Sequence, residues 1–206
     1  MVKRATVALT ATPPVPSTGA FEVTFSGRAR GSQGEDVRVF TGRWAFGRPL
    51  GGASLALQVV GGKAFTYVRG QAIPPGADPP PTGAEQVVVP LLFVERDLDR
   101  LIRQLGIDPE KRHLSLLGDV VCDVVGADSS DPAEATLPQL WLDHDTFVPM
   151  RVVFRLGGPA GQAAHVDLTG WGHEPDGVPF PRQIRIFEGT RWVRALDVDP
   201  ARRLGP

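Results

Sequence analysis

The sequence predicts a mainly β protein of the α+β kind, a curved antiparallel sheet of about ten strands covered by one helix. Three observations predict it. Short segments of alternating apolar and polar residues follow one another along most of the 206 residues, separated by turns rich in Gly, Pro and Asp. One stretch, 90–105, has the spacing of an amphipathic helix instead. The alternation is one-sided: Met150, Val152 and Phe154 fall on one face, Arg151 and Arg155 on the other. A sheet of that many strands curls or closes, and a lone helix must bury its stripe, so the helix is expected to plug the concave face.

The elements follow in order. Residues 1–19 read as a leader: Lys3 and Arg4 precede a short run, Ala5–Ala11, that contains two threonines and leads into Pro13, Pro14 and Pro16. That run is a poor signal-peptide core, which leaves a cytoplasmic protein or one whose signal has been removed as the two expectations. From residue 20 to 198 the pattern predicts one domain. Phe21, Val23 and Phe25 alternate with Glu22, Thr24 and Ser26. Trp44, Phe46 and Arg48 share a face of the next strand, and Leu55, Leu57 and Val59 a face of the third. Gly61-Gly62-Lys63 turns into a strand at Ala64–Arg69, a hairpin pattern. Ile73–Gly83 reads as a long loop and Val87–Val89 as an extended approach to the helix.

In the helix, Leu91, Val94, Leu98, Leu101, Ile102 and Leu105 form the stripe. Glu95, Asp97 and Asp99 come early and Arg100 and Arg103 late, as the helix dipole favours. Pro90 suits a first turn, and Gly106 a C-terminal stop. Beyond it, Gly118 separates two strand runs, His113–Leu117 and Asp119–Val125, as a tight hairpin would. Four further strands are expected at Gln139–Asp143, Val148–Leu156, Ala163–Trp171 and Arg182–Glu188. Gly189-Thr190 then turns into a last one at Arg191–Val198. Residues 199–206 are a basic tail expected to fray.

Composition narrows the function. A net charge of −1, with arginines interleaved among acids, argues against a nucleic-acid partner. No apolar run approaches the roughly 18 residues of a membrane span. A single cysteine, Cys122, excludes an intrachain disulfide and a multi-cysteine metal site, and its apolar surroundings predict a buried structural thiol.

Few residues suggest catalysis. His144 lies between Asp143 and Asp145, His165 is two residues from Asp167, and His173 precedes Glu174. These types can hold a metal for a hydrolase, but no HExxH-like spacing joins them, and Asp143–Asp145 before Phe147-Val-Pro149 reads better as a polar hairpin turn. Gly61-Gly62-Lys63 lacks a phosphate-loop pattern, and no GxSxG elbow occurs. No enzyme activity, cofactor or metal is therefore expected. The remaining functional material is apolar: Trp44, Phe46, Leu57, Phe65, Tyr67, Met150, Phe154 and the helix stripe line either an ordinary core or a ligand cavity.

Four motifs in order carry a family resemblance. Gly42-Arg-Trp-Ala-Phe-Gly-Arg-Pro49 ends a strand, Val59-Val-Gly-Gly-Lys-Ala-Phe-Thr-Tyr67 follows, and then comes the helix. Later come Pro138-Gln-Leu-Trp-Leu-Asp-His-Asp-Thr-Phe-Val-Pro-Met-Arg-Val152 and Val178-Pro-Phe-Pro-Arg-Gln-Ile184. Over about residues 20–198 the chain resembles the LolA-like periplasmic lipoprotein carriers. The resemblance implies an open β half-barrel under a lid helix, with lipoprotein or lipid acyl chains bound in an apolar cavity and passed between membranes. Membrane-bound donor and acceptor proteins would be its partners, and no catalysis is involved. It implies that Arg48, which matches the family's Arg-Pro arginine, latches the lid. Relatives of this fold also include lipid sensors, and a protein-interaction or assembly module with a filled core is the alternative. Unlike such carriers, which usually begin with a helix, this chain is Pro-rich over residues 5–19.

Overall fold

The computed structural model describes residues 20–30, 37–47, 52–59, 64–68, 82–90, 92, 98–129, 136–158, 160–172, 180–200 and 202–204. Its strands are β1 (Ala20–Arg30), β2 (Val37–Gly47), β3 (Gly52–Val59), β4 (Ala64–Val68), β5 (Arg112–Leu117), β6 (Val120–Val125), β7 (Gln139–Asp143), β8 (Pro149–Leu156), β9 (Gln162–Gly172), β10 (Phe180–Glu188), β11 (Arg191–Val198) and β12 (Arg202–Leu204). They form one 12-stranded antiparallel sheet in the order β4-β3-β2-β1-β11-β10-β9-β8-β7-β6-β5, with β12 pairing β1 beside β11. Among the described residues β4 and β5 pair with no strand but β3 and β6, so the sheet is open and not closed into a barrel. It is the curved half-barrel that the alternation predicts, with short turns making antiparallel neighbours of consecutive strands.

The turns follow their glycines. Gly118 (φ +62) opens the two-residue loop between β5 and β6, and Gly189 (φ +59) the one between β10 and β11. A positive φ at the first loop residue lets such a loop match the twist of its strands. The β3–β4 hairpin pairs Gln58 with Ala64, while its turn, Gly61-Gly62-Lys63, lies outside the described residues.

Inward-facing positions line up across the sheet. Val23 opposes Trp44, Gly27 opposes both Phe40 and Leu196, and Ile184 opposes both Leu196 and Leu168. Val152 opposes Val166 and Leu140. Apart from Gly27 these side chains are all buried and belong to one core cluster on the inner face. Gly27 leaves room there for its neighbours: a Cβ at this position would lie 2.7 Å from both Phe40 and Leu196.

Among the described residues three short helices cover that face: α1 (Gly83–Gln86), α2 (Val88–Pro90) and α3 (Leu98–Leu105). On α3, Leu98, Leu101 and Ile102 are buried and Leu105 is half-buried against the core, the predicted face. The stop at Gly106 takes the expected form. Gly106 (φ +69) donates to the Arg103 carbonyl and Ile107 to the Ile102 carbonyl, and both isoleucines are buried.

Several expectations change. Of the predicted 90–105 helix, α3 holds Leu98–Leu105 and Pro90 is the last residue of α2, while residues 91 and 93–97 lie outside the described residues. Val87–Val89, expected as an extended approach, runs instead through the turn after α1 into α2, with Val88 and Val89 fully buried in the core. Leu92, in a π-type turn, is buried although the predicted stripe passes over it; a wider turn changes which residue faces inward. The tail expected to fray forms β12 over 202–204. Asp199 bridges the gap from β11: its amide donates to the Thr24 carbonyl and its carboxylate accepts from the Thr24 hydroxyl at 2.6 Å. Pro200 then has no N–H to continue the ladder, so the pairing breaks before it resumes.

Candidate binding face

The centre of the inner face is aromatic. Trp44 packs against Phe25 with ring centroids 4.5 Å apart and against Phe180 at 6.3 Å, and Phe25 meets Phe40 edge-on at 6.2 Å. Phe154, Leu98, Leu101 and Ile102 join the same cluster. Five of the predicted lining residues are thus together in one apolar layer between sheet and helices.

Met150 is not. It is half-buried and outside the cluster, because the β7–β8 pairing slips between Trp141 and Leu142: Trp141 opposes Arg151, and Leu142 opposes Pro149. The slip makes Met150 the extra residue of a bulge and gives its inner position to Pro149, whose carbonyl accepts from the Trp171 indole at 2.8 Å. Simple alternation had placed Met150 with Val152 and Phe154. Arg48, Leu91 and Val94 lie outside the described residues, as do the side chains of Phe46, Leu57, Phe65 and Tyr67.

A polar tie, absent from the sequence reading, holds the helical segment to the sheet. Thr82 and Glu85 form a capping box at α1: the Glu85 amide donates to the Thr82 hydroxyl, and the Glu85 carboxylate accepts from the Thr82 amide at 2.8 Å. The other carboxylate oxygen of Glu85 accepts from Arg194 Nη1 at 3.2 Å. Arg194 stands on β11 opposite Ala29 and Ile186, in the middle of the apolar face, with its guanidinium 5.1 Å above the Phe40 ring. Both side chains are essentially removed from water, at 3% and 0% exposure. Two features of the sequence point to it. Thr82-x-x-Glu85 is a capping-box pattern, and Arg194 holds an inward position of β11 in step with Leu196 and Val198.

The histidines are held apart. His144 Nδ1 sits 3.0 Å from Asp123, within a turn in which Asp143 accepts from the amides of Asp145 and Thr146. The same turn carries Phe147 at φ 59. His165 is on the outer face, stacked on Phe187 at 4.4 Å, while its neighbour Asp167 is paired with both nitrogens of the Arg151 fork. Burial, with a further push from the Arg151 charge, holds the His165 pKa below its ordinary value against the opposing pull of Asp167. His173 lies outside the described residues. Among the described residues no group of three or more His, Cys, Asp or Glu is placed to hold a metal. Cys122 is buried, and burial reinforced by the Asp143 charge pushes its thiol up to about 11.

No protein-family model matches the sequence, and no curated protein matches it. Solved structures do resemble it in their overall course. A LolA superfamily protein from Nitrosomonas europaea aligns at 13% identity and a TM-score of 0.45, covering 98% of this chain and 90% of that one. A provisionally described outer membrane lipoprotein-sorting protein domain from Vibrio parahaemolyticus aligns at 13% identity and a TM-score of 0.46, covering 98% and 91%. The MucA/MucB complex of Pseudomonas aeruginosa aligns at 16% identity and a TM-score of 0.31, covering 99% of this chain and 56% of that one.

Proposed function

We propose that this chain is a non-catalytic periplasmic binder of lipid or lipoprotein acyl chains that carries them between membranes. One observation carries the reading. The open sheet buries its apolar face under short helices rather than under a second sheet, and a buried polar tie anchors the first of those helices. Leu98, Leu101, Ile102, Val88, Val89 and Leu92 fill the space over the sheet, so an acyl chain enters by taking their place. Each methylene transferred from water to that face contributes about 0.8 kcal/mol, so affinity grows with chain length and depends little on the head group. The structure is then the closed, unloaded form.

The test is titration of delipidated protein with a fluorescent fatty acid, followed by competition with a lipopeptide. Saturable binding that the lipopeptide displaces supports the proposal. Absence of binding by the native protein refutes it.

A further inference from the structure

Arg194 and Glu85 put two charges where apolar side chains would hold the fold as well. A buried ion pair gains little stability over hydrophobic residues of similar volume. The surroundings of Arg194 point to another use. It lies midway across the sheet but near one end of its strands: Ala29, opposite it, is the second-last residue of β1. From there the inner face runs along β1 past Gly27, opposite Phe40 and Leu196, to Phe25 and to Val23, opposite Trp44. From Ala29 to Val23 the strand rises about 20 Å. The side chains along this line, Arg194 apart, belong to the apolar core. One cation at the end of a long apolar strip is the complement of an anionic amphiphile with an extended tail.

The backbone beside Arg194 is irregular. Pairing of β10 with β11 passes from Ile186–Arg194 to Phe187–Trp192, so Val193 is the extra residue of a bulge. Val193 and Arg194 are both buried although consecutive. Such bulges are over-represented next to active sites, where they re-aim side chains.

Glu85 does not hold Arg194 as well as a carboxylate can. One of its oxygens accepts from Nη1 at 3.2 Å, longer than the about 2.7–2.9 Å of a strong charge-assisted bond. The other accepts from the Thr82 amide at 2.8 Å and the Thr82 hydroxyl at 3.0 Å. The capping box thus keeps the second oxygen from the guanidinium, and it does not depend on Arg194. A carboxylate on a flexible chain has no such tether and can meet the guanidinium with both oxygens.

We infer that Arg194 is a carboxylate site, and that the acyl chains bound here include fatty acids whose head group takes the place of Glu85. The guanidinium holds the head, and the tail runs over Phe40 toward Phe25 and Trp44. Glu85 is the internal occupant that keeps α1 over the site when no ligand is bound. The site rests on the acyl-chain reading above. One carboxylate replaces another, so the head group adds little net affinity in the native protein, as that reading requires.

The test is the ratio of affinities for dodecanoate and dodecanol, measured by calorimetry at about pH 8, where the acid is ionised. In the native protein the two are expected to bind within a few-fold of each other. Glu85→Gln removes the competing charge and keeps a capping side chain. It should raise the ratio in favour of the acid by about tenfold or more. Glu85→Gln with Arg194→Met should lower the ratio several-fold below the native value, and this neutral variant decides should the single one not fold. A ratio that stays at the native value in the folded variants, or that rises in the double variant as well, overturns the carboxylate site while acyl-chain binding stands. Failure of the native protein to bind either ligand overturns both.

Discussion

Glu85 and Arg194 are an ion pair where the sheet is otherwise apolar, 109 positions apart in sequence. Two charges in such a place are costly to desolvate, and removing one strands the other. Glu85→Ala should therefore lower stability by about 3 kcal/mol or more, and Arg194→Met by a similar amount. The double variant should lose clearly less than the sum, as urea denaturation of all four proteins would show. Cys122 makes a simpler prediction. A thiol held at about 11 is protonated at neutral pH, so a thiol reagent should leave the folded chain untouched and modify it readily in denaturant. His165 sets a pH dependence. Its folded pKa lies below the ordinary 6.5, so the unfolded chain takes up the proton first as pH falls. Its contribution to stability is whole above 6.5 and is lost as pH drops through 6.5 toward the folded value. His165→Gln should flatten that part of the curve, measured as urea midpoints from about pH 7.5 to 5.5.

At the scale of elements, α3 was the most legible part of the chain. Its stripe and its Gly106 stop depend on local spacing, and both appear as the periodicity predicts. What preceded it was not. Val87–Val89 read as an extended approach, yet burial of Val88 and Val89 on the inner face, behind a capping box at Thr82, makes the stretch helical. Met150 was misplaced for a related reason: a bulge is set by pairing with another strand, and one strand's alternation does not reveal it. Arg194 was missed because inward arginines need a partner, and Glu85 is too distant in sequence to suggest one. Among the loops Gly126 is tightly constrained. It has φ +116, and a Cβ there would lie 2.3 Å from the Pro138 carbonyl. Gly126→Ala should cost more than about 1 kcal/mol in denaturant unfolding, beyond the ordinary effect of a glycine replacement.

The whole molecule follows from one arrangement: a single open sheet needs a cover, and helices from the middle of the chain supply it. Alternation and turn chemistry were enough to predict that sheet and its antiparallel pairing. They did not reveal β12, because three residues beyond a proline carry no periodicity. The central functional claim is that the cover yields to an acyl chain. Hydrogen exchange at the amides of Leu98–Leu105, with and without saturating fatty acid, tests it most directly. The account predicts that the ligand accelerates exchange in α3 while the strands under it stay protected. Exchange in α3 that slows or does not change, with fatty acid demonstrably bound, would contradict it.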